Sequence, residues 1–336
     1  MATAVVSAPG KINLTLDILG RREDGYHEME MLMHAVSLEN TVRLTTLDRP
    51  GIRLNCSNPA VPTGEKNLAY RAAQAFFAAW GHAVGLEIQV EKRVPMEAGM
   101  AGGSADAAGV LVGLNHLAGG VFSQQQLCEI GLLLGADVPF CIRGGAALVQ
   151  GIGEKITPLP PLEQCWLVIA KPNQGMKTAG CFAAYDALDA VRHPDTRRAL
   201  QALQDQNLPA LGGLLENVLE QAVTLPQVQI LRESILKNGA LGSRMTGSGT
   251  AVFGLFSNKN QALRCARRIK DYWGDGGGKK TAVDHLFNSV KGNRFLEEKI
   301  TTAILEEDVI ADNASPELAD IRRHKRNAAA KGRQIL

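Results

Sequence analysis

The sequence predicts an α+β protein of two domains, and three observations carry that prediction. The chain has 336 residues, enough for about two domains at roughly 100–200 residues each. Apolar residues switch repeatedly between period two and a helical period in both halves, so each half mixes strands and helices. The run Pro158-Leu159-Pro160-Pro161 interrupts that pattern before an apolar strand restarts at Trp166. These mark a first domain over 1–160, a second over 161–274, and a linker with a charged tail over 275–336.

Taken in order, Val5–Leu19 alternates around Pro9-Gly10 and predicts a strand, a turn and a second strand. Thr41–Thr46 and Ile52–Cys56 predict further strands. Asn67–Trp80 is alanine-rich with a helical apolar period, and Gly81 stops it. Leu86–Val94 alternates as a strand and runs into a glycine-rich loop. From there a helix is predicted over Ser104–Leu117, ended by Gly119-Gly120, and another over Ser123–Leu134 with Ser123 as its N-cap. In the second half the pattern gives a strand over Trp166–Ala170 and helices over Ala179–Val191, Thr196–Leu203 and Pro209–Gln221. A glycine turn over Arg244–Gly249, a strand over Ala251–Leu255 and a helix over Asn260–Tyr272 follow. Asp275–Phe287 does not alternate as a closing strand should. Beyond Phe295 the chain is acidic near Glu297–Asp308 and basic near Arg322–Arg333, a solvated tail.

Composition narrows the function. Lys and Arg number 36 against 34 Asp and Glu, a formal net charge of +2. So even a balance gives no body-wide attraction for nucleic acid, which leaves only the basic tail for such a role. The six cysteines are scattered, with no metal-ligand spacing, and read as reduced thiols in a cytoplasmic protein. No apolar run is long enough for a signal peptide or a membrane span.

Chemistry concentrates in four places. Pro95-Met96-Glu97-Ala98-Gly99-Met100-Ala101-Gly102-Gly103-Ser104-Ala105 follows a strand and opens a helix. Its glycines let backbone N–H groups approach a ligand, and the helix points its positive end at the same place. This suits phosphate, although no Gly-Lys-Ser/Thr closes the loop as in a Walker A sequence; the same glycines would also serve a helix start needed only for packing. Lys11 and Asn13, two apart on a predicted strand, face one side; alone, Lys11 reads as an ordinary surface lysine. Asp137, among small and apolar residues after a helix, reads in isolation as a cap or turn former. Met245–Gly249, before Thr250, reads as a second backbone nest able to close over a ligand.

The blocks APGKINLTL, PMEAGMAGGSADAA and MTGSGT, in this order, resemble the three motifs of the GHMP kinases. The blocks GRREDGYHE, EKRVP and GADVPF are similar to the branch whose acceptor is the 2-hydroxyl of a cytidine-diphosphate-linked methylerythritol, an isoprenoid precursor. The resemblance covers about residues 5–272. It implies a two-domain fold with the active site in the inter-domain cleft, ATP and Mg²⁺, a small cytidyl diphosphate substrate, and a monomer or weak homodimer. On it, Lys11 and Asp137 flank the reacting hydroxyl, with Asp137 taking its proton, and residues 95–105 hold the phosphates. Asn67 and Lys92 lie near the adenine. Asn13, Thr178, Thr246, Gly247 and Ser248 touch the acceptor. Tyr26 and His27, with Phe182 or its neighbour Tyr185, hold the cytosine. Metal contacts stay open, with Ser104 the candidate. Other acceptors of the family, homoserine or mevalonate, remain the alternative, and a short stretch around 293–331 is similar to a helical piece of MutS-type ATPases.

Overall fold

The computed structural model describes residues 1–163, 165–274 and 282–288. Its spine is a pair of very long antiparallel strands, β1 (Thr3–Arg21) and β2 (His27–Leu47). Pro9-Gly10 is therefore not a turn. The strand runs straight through, with a register shift between Pro9 and Lys11. Gly10 is needed for a different reason: a Cβ there would sit 3.2 Å from Val94 Cγ1 and 3.4 Å from the Leu38 and Met100 carbonyl oxygens. Alternation fades along residues 8–18 because that stretch is buried on both faces, which is also why it reads as two pieces.

β3 (Ile52–Cys56) lies parallel to β4 (Gly85–Glu91), which pairs with the far end of β2. β5 (Ala146–Gly151) pairs with the near end of β2, and β6 (Lys155–Leu159) folds back on β5 with Pro158 inside it. A second sheet contains β7 (Trp166–Lys171), β9 (Gly242–Met245), β10 (Val252–Phe256) and β11 (Ala282–Asn288) in the order β11-β7-β10-β9. The two-residue strand β8 (Glu216–Asn217) comes from the second half of the chain but pairs in parallel with Thr15–Leu16 of β1. The expected lack of a closing strand is corrected by β11, which lies antiparallel to β7. A register shift between Ala282 and His285 breaks its period of two, and the glycine run before it masks its start. The charged tail and its MutS-like stretch lie outside the described residues.

The helices are α1 (Leu68–Trp80), α2 (Gly102–Leu117), α3 (Gln124–Leu132), α4 (Val138–Arg143), α5 (Thr178–Asp186), α6 (Thr196–Gln204), α7 (Leu208–Leu214), α8 (Pro226–Lys237) and α9 (Lys259–Gly274). Asn67 caps α1 and Gly81 closes it at φ 77°. Ser123 and Gln126 form a reciprocal capping box on α3. Two helices are shorter than the periodicity suggests. α5 stops at Asp186, and the stretch after Leu214 leaves the helix because Leu215 is extended, ψ 125°. There Asn217 starts a 3₁₀ turn over Val218–Ala222.

What places the site is α2. Every residue from Ala105 to Leu114 is buried, so this helix lies inside the first domain's core with its N-terminus at the surface of the sheet. A Cβ at Gly113 would come 2.6 Å from Leu44 Cδ1 and 3.0 Å from Val6 Cγ2, and one at Gly109 would come 3.0 Å from Val42 Cγ2. The two glycines let the helix axis approach β1 and β2 closely, which fixes where its first turn points.

Candidate active site

The glycine-rich loop ends in strained backbone. Glu97 and Ala101 have φ of 49° and 57°, a region L-residues seldom occupy. Ala101 is the N-cap of α2 and makes no side-chain cap bond. The helix closes its first backbone bond at Ala105 N–H to the Ala101 carbonyl, 2.8 Å, so the amides of Gly102, Gly103 and Ser104 precede the intrahelical ladder. Uncapped amides at the positive end of a buried helix form a ready site for an anion. Strain of this kind, about 1–3 kcal/mol per residue, persists where the surroundings enforce it.

Lys11 is not a surface lysine. It is 3% exposed, and its Nζ donates to Asn13 Oδ1 and to the Gly99 carbonyl, both at 2.7 Å. Its backbone N–H donates to the Met100 carbonyl at 3.1 Å. Thr246 reaches the same point from the other half of the chain. The Thr246 hydroxyl accepts from Asn13 N–H at 3.0 Å and lies 3.3 Å from both Asn13 Oδ1 and the Gly99 carbonyl. Two further backbone bonds of 3.3 Å, Thr250 N–H to Glu97 O and Ala251 N–H to Ala98 O, lay the glycine turn of the third motif, the third turn hereafter, along the loop that opens α2. Gly247 completes the contact, since a Cβ there would be 2.6 Å from the Gly99 oxygen and 3.0 Å from Lys11 Nζ.

Asn13 is fully buried, and its Nδ2 has no hydrogen-bond partner. The amide cannot be turned round to remove that vacancy, because an ammonium only donates and so the atom facing Lys11 must be the oxygen. An unpaired buried amide donor costs about 1–3 kcal/mol. It is an explicit request for an acceptor oxygen at this spot.

Asp137 occupies the N-cap position of α4, yet its side chain makes no cap bond. Its carboxylate forms no ion pair or hydrogen bond among the described residues, Lys11 included. The charges of both act on the Cys141 thiol. Burial pushes that thiol's pKa well up, Asp137 pushes it further, and Lys11 pulls it down. Ser104 sits beside Gly135, just before Asp137.

Asn67 and Lys92 both have protein partners in this structure. The Asn67 amide caps Ala69 N–H at 2.8 Å and donates to the Pro62 carbonyl at 2.7 Å. Lys92 Nζ donates to Asp106 Oδ2 at 2.7 Å and to the Gly102 carbonyl at 3.2 Å. Asn40 joins them, donating to Asp106 Oδ1 at 2.7 Å and to Gly102 O at 3.3 Å. Burial pushes the Asp106 carboxyl up, while Lys92 and then Asn40 draw it back down. This cluster grips the first carbonyl of α2 from behind.

The predicted cytosine residues cluster at the outer end of the β1–β2 hairpin. His27 stacks on Phe182 with ring centroids 4.9 Å apart and meets Tyr185 edge-on at 6.3 Å. Its Nε2 lies 2.8 Å from Asp186 Oδ1. Tyr26 is 62% exposed and stacks on no other ring among the described residues. Thr178 Oγ1 lies 3.1 Å from Ser248 Oγ, tying α5 to the third turn. His193, which matches no motif, lies 2.7 Å from the buried Asp17.

Residues 67–145 match the GHMP kinases N terminal domain, and residues 187–275 match the GHMP kinases C terminal domain. A 4-diphosphocytidyl-2-C-methyl-D-erythritol kinase of Clostridium tetani is 41% identical over 273 residues, 80% of this chain and 97% of that protein. The chain belongs to the GHMP kinase family. Another relative with the same name, from Carboxydothermus hydrogenoformans, is 44% identical over 261 residues, 77% of this chain and 90% of its own. A solved 4-(cytidine 5'-diphospho)-2C-methyl-D-erythritol kinase superposes with a TM-score of 0.69 at 31% identity, covering 85% of this chain and all of that one. A homoserine kinase from Cytophaga hutchinsonii gives 0.67 at 20% identity, over 88% of this chain and 96% of its own, and so shows the fold alone.

This GHMP kinase also builds its site from residues that sequence reasoning passed over. Asn40, Asp186, Asn217 and Glu220 lie between or beyond the motifs and carry no spacing signal, while Asp106 stands inside the second block. Asp106 was the one within reach, being a carboxylate on the second turn of an otherwise apolar helix. Among the described residues no group of three or more His, Cys, Asp or Glu side chains is placed to hold a metal. No helix there is long and apolar enough to cross a membrane.

Proposed function

We propose that the chain transfers the γ-phosphoryl group of ATP to the 2-hydroxyl of 4-diphosphocytidyl-2-C-methyl-D-erythritol. The observation that carries this reading is the convergence of Lys11, Asn13 with its unpaired Nδ2, and Thr246 on the strained loop that opens α2. The relatives' acceptor fits the hairpin end, where Tyr26, His27 and Phe182 offer rings to a pyrimidine.

Each step follows from groups already placed. The amides of Gly102, Gly103 and Ser104 hold the β- and γ-phosphates, as helix starts do. The Asn13 Nδ2 donates to an oxygen of the acceptor and fixes its orientation. Lys11, whose ammonium is held by two oxygens, supplies positive charge beside the transferred group. Asp137 takes the proton of the acceptor hydroxyl; its carboxylate, free of cap and ion-pair bonds, is available for that. Phosphoryl transfer relies on alignment and charge neutralisation more than on covalent steps. Mg²⁺ carried in with the nucleotide would supply charge neutralisation beside the phosphates; the Ser104 hydroxyl would add one oxygen, since Mg²⁺ commonly keeps waters and substrate phosphates as its other ligands.

The test is a coupled ADP-release assay over a panel of alcohols. Turnover with the cytidyl substrate, and its absence with homoserine and mevalonate, is the expected pattern. Turnover with homoserine or mevalonate alone would leave the family standing and remove this acceptor.

A further inference from the structure

We infer that Asn217 is a positioning residue for the acceptor: it sets the third glycine turn, and through Thr246 the Asn13 amide that faces the reacting alcohol. The inference rests on the reading of the site above. Asn217 belongs to none of the three motifs and touches neither phosphate loop nor acceptor.

Asn217 lies on β8, opposite Leu16 of β1, and is completely buried. Its Nδ2 donates to the carbonyls of Met245 and Gly247, each at 2.9 Å. Those carbonyls flank Thr246, so one amide group grips the turn on both sides of the residue that reaches Asn13. Its Oδ1 accepts from Leu219 N–H at 3.0 Å and so starts the 3₁₀ turn. Glu220, one turn on, accepts from Met245 N–H at 2.6 Å and is itself held by Arg232 at 3.2 Å. The turn's outer side is therefore fixed by two side chains from one short segment.

The inner side shows what that fixation controls. The Thr246 hydroxyl has one hydrogen and two acceptors at 3.3 Å, Asn13 Oδ1 and Gly99 O, while accepting from Asn13 N–H at 3.0 Å. Moving Thr246 by a few tenths of an ångström changes which acceptor it serves, and with it the setting of the Asn13 amide. A buried asparagine needed only to cap residues 218–222 would use its oxygen alone. The two donated bonds to the turn are the additional fact.

The two roles separate in Asn217→Ser. Serine is as good an N-cap as asparagine but is too short to bridge both carbonyls. The expected result is a kcat/KM for the acceptor lowered about 10- to 100-fold, as for a misplacement of up to 1 Å. The ATP dissociation constant should stay within about twofold, because the amides of α2 are untouched. In a Thr246→Ala background the same serine change should cost less than about threefold, since the path through Thr246 is already cut. Equal losses in both backgrounds, wild-type kinetics, or a parallel loss of ATP affinity would each overturn the inference. A serine variant that does not fold would overturn it too, by showing that the asparagine serves the fold. If the wild type ignores the cytidyl substrate, the functional reading has failed separately, and the same variants are scored on whichever alcohol drives ADP release.

Discussion

Replacing Gly99 by alanine is the sharpest perturbation of the contact between the phosphate loop and the third turn. Gly99 has φ 69°, where an L side chain costs about 1–2 kcal/mol. The new Cβ would overlap the Thr246 carbonyl oxygen and lie 2.8 Å from its carbon and 2.9 Å from the Gly249 nitrogen. All three atoms are backbone, so no rotamer change relieves the clash, and the two loops must separate by roughly an ångström. Overpacking of this sort costs about 1–3 kcal/mol, giving a total of about 2–5 kcal/mol of stability. A displacement of 1 Å at a reacting centre costs about 100-fold in rate, or roughly 2.7 kcal/mol of barrier. Gly213→Ala is the control: it lies in α7 at an ordinary φ with nothing within 4 Å, and should be neutral or stabilising by up to about 1 kcal/mol. Thermal melting and coupled ADP release measure both quantities. A Gly99→Ala enzyme within threefold of wild-type kcat, with an unchanged melting temperature, would refute the idea that the two turns must touch.

Three further outcomes follow from the same geometry. Asp137→Asn should lower kcat about 10²–10⁴-fold, with ATP binding by calorimetry nearly unchanged, since the amide keeps the shape but takes no proton; near-normal kcat would assign the deprotonation to another group. Tyr26→Ala and Phe182→Ala should each raise KM for the cytidyl substrate by the equivalent of about 1–3 kcal/mol while leaving KM for ATP unchanged, by analogy with base–aromatic stacking; a reversed pattern would put these rings on the adenine side. His34 is buried, its Nδ1 2.6 Å from the Ala35 carbonyl and its Nε2 accepting from Leu162 N–H at 3.2 Å, and burial lowers its pKa from the ordinary 6.5 while the bond to Ala35 partly restores it. The unfolded chain therefore takes up a proton that the folded chain refuses, so stability is full above pH 6.5 and falls below it, by at most about 1.4 kcal/mol per pH unit. Urea midpoints from pH 5 to 7 should show this slope, and a His34→Gln variant should flatten it.

Much of this was legible in sequence because it is written in backbone requirements. Gly81 after α1 and Ser123 before α3 are punctuation that only certain residues can supply, and the glycine-rich loop marked the start of α2 to within two residues, Ser104 expected against Gly102 found. β2 was half missed, since residues 31–36 are buried on both faces and show no alternation, and Pro9-Gly10 imitated a turn although Gly10 serves a close approach. In the site, Lys11 and Asn13 could be paired by their spacing of two, but nothing local shows that Thr246, 233 residues later, completes them. Asn67 and Lys92 were placed by resemblance near the adenine, and their side chains here are occupied by a cap and by Asp106. Long-range side-chain bonds leave no period in a sequence, which is why Asn217 and Glu220 were invisible to it.

The layout explains how one fold serves different acceptors. Contacts among the three motifs are made almost wholly by backbone carbonyls, amides and glycines, with Lys11, Asn13 and Thr246 as the few side chains at their meeting point. The rings of the proposed pyrimidine site belong to other elements, the β1–β2 hairpin and α5, and α5 touches the third motif through Thr178 and Ser248. On the proposed reading, a change at Tyr26, His27 or Phe182 would alter which alcohol is held and leave the start of α2 in place. The reverse does not apply. A side chain added at Gly99 or Gly247 pushes on Thr246 or Lys11 whichever acceptor is bound, because those glycines stand where two halves of the chain must come within a hydrogen bond of each other. Selection for a new acceptor can thus act on the hairpin and α5, while selection for phosphoryl transfer keeps the glycines fixed.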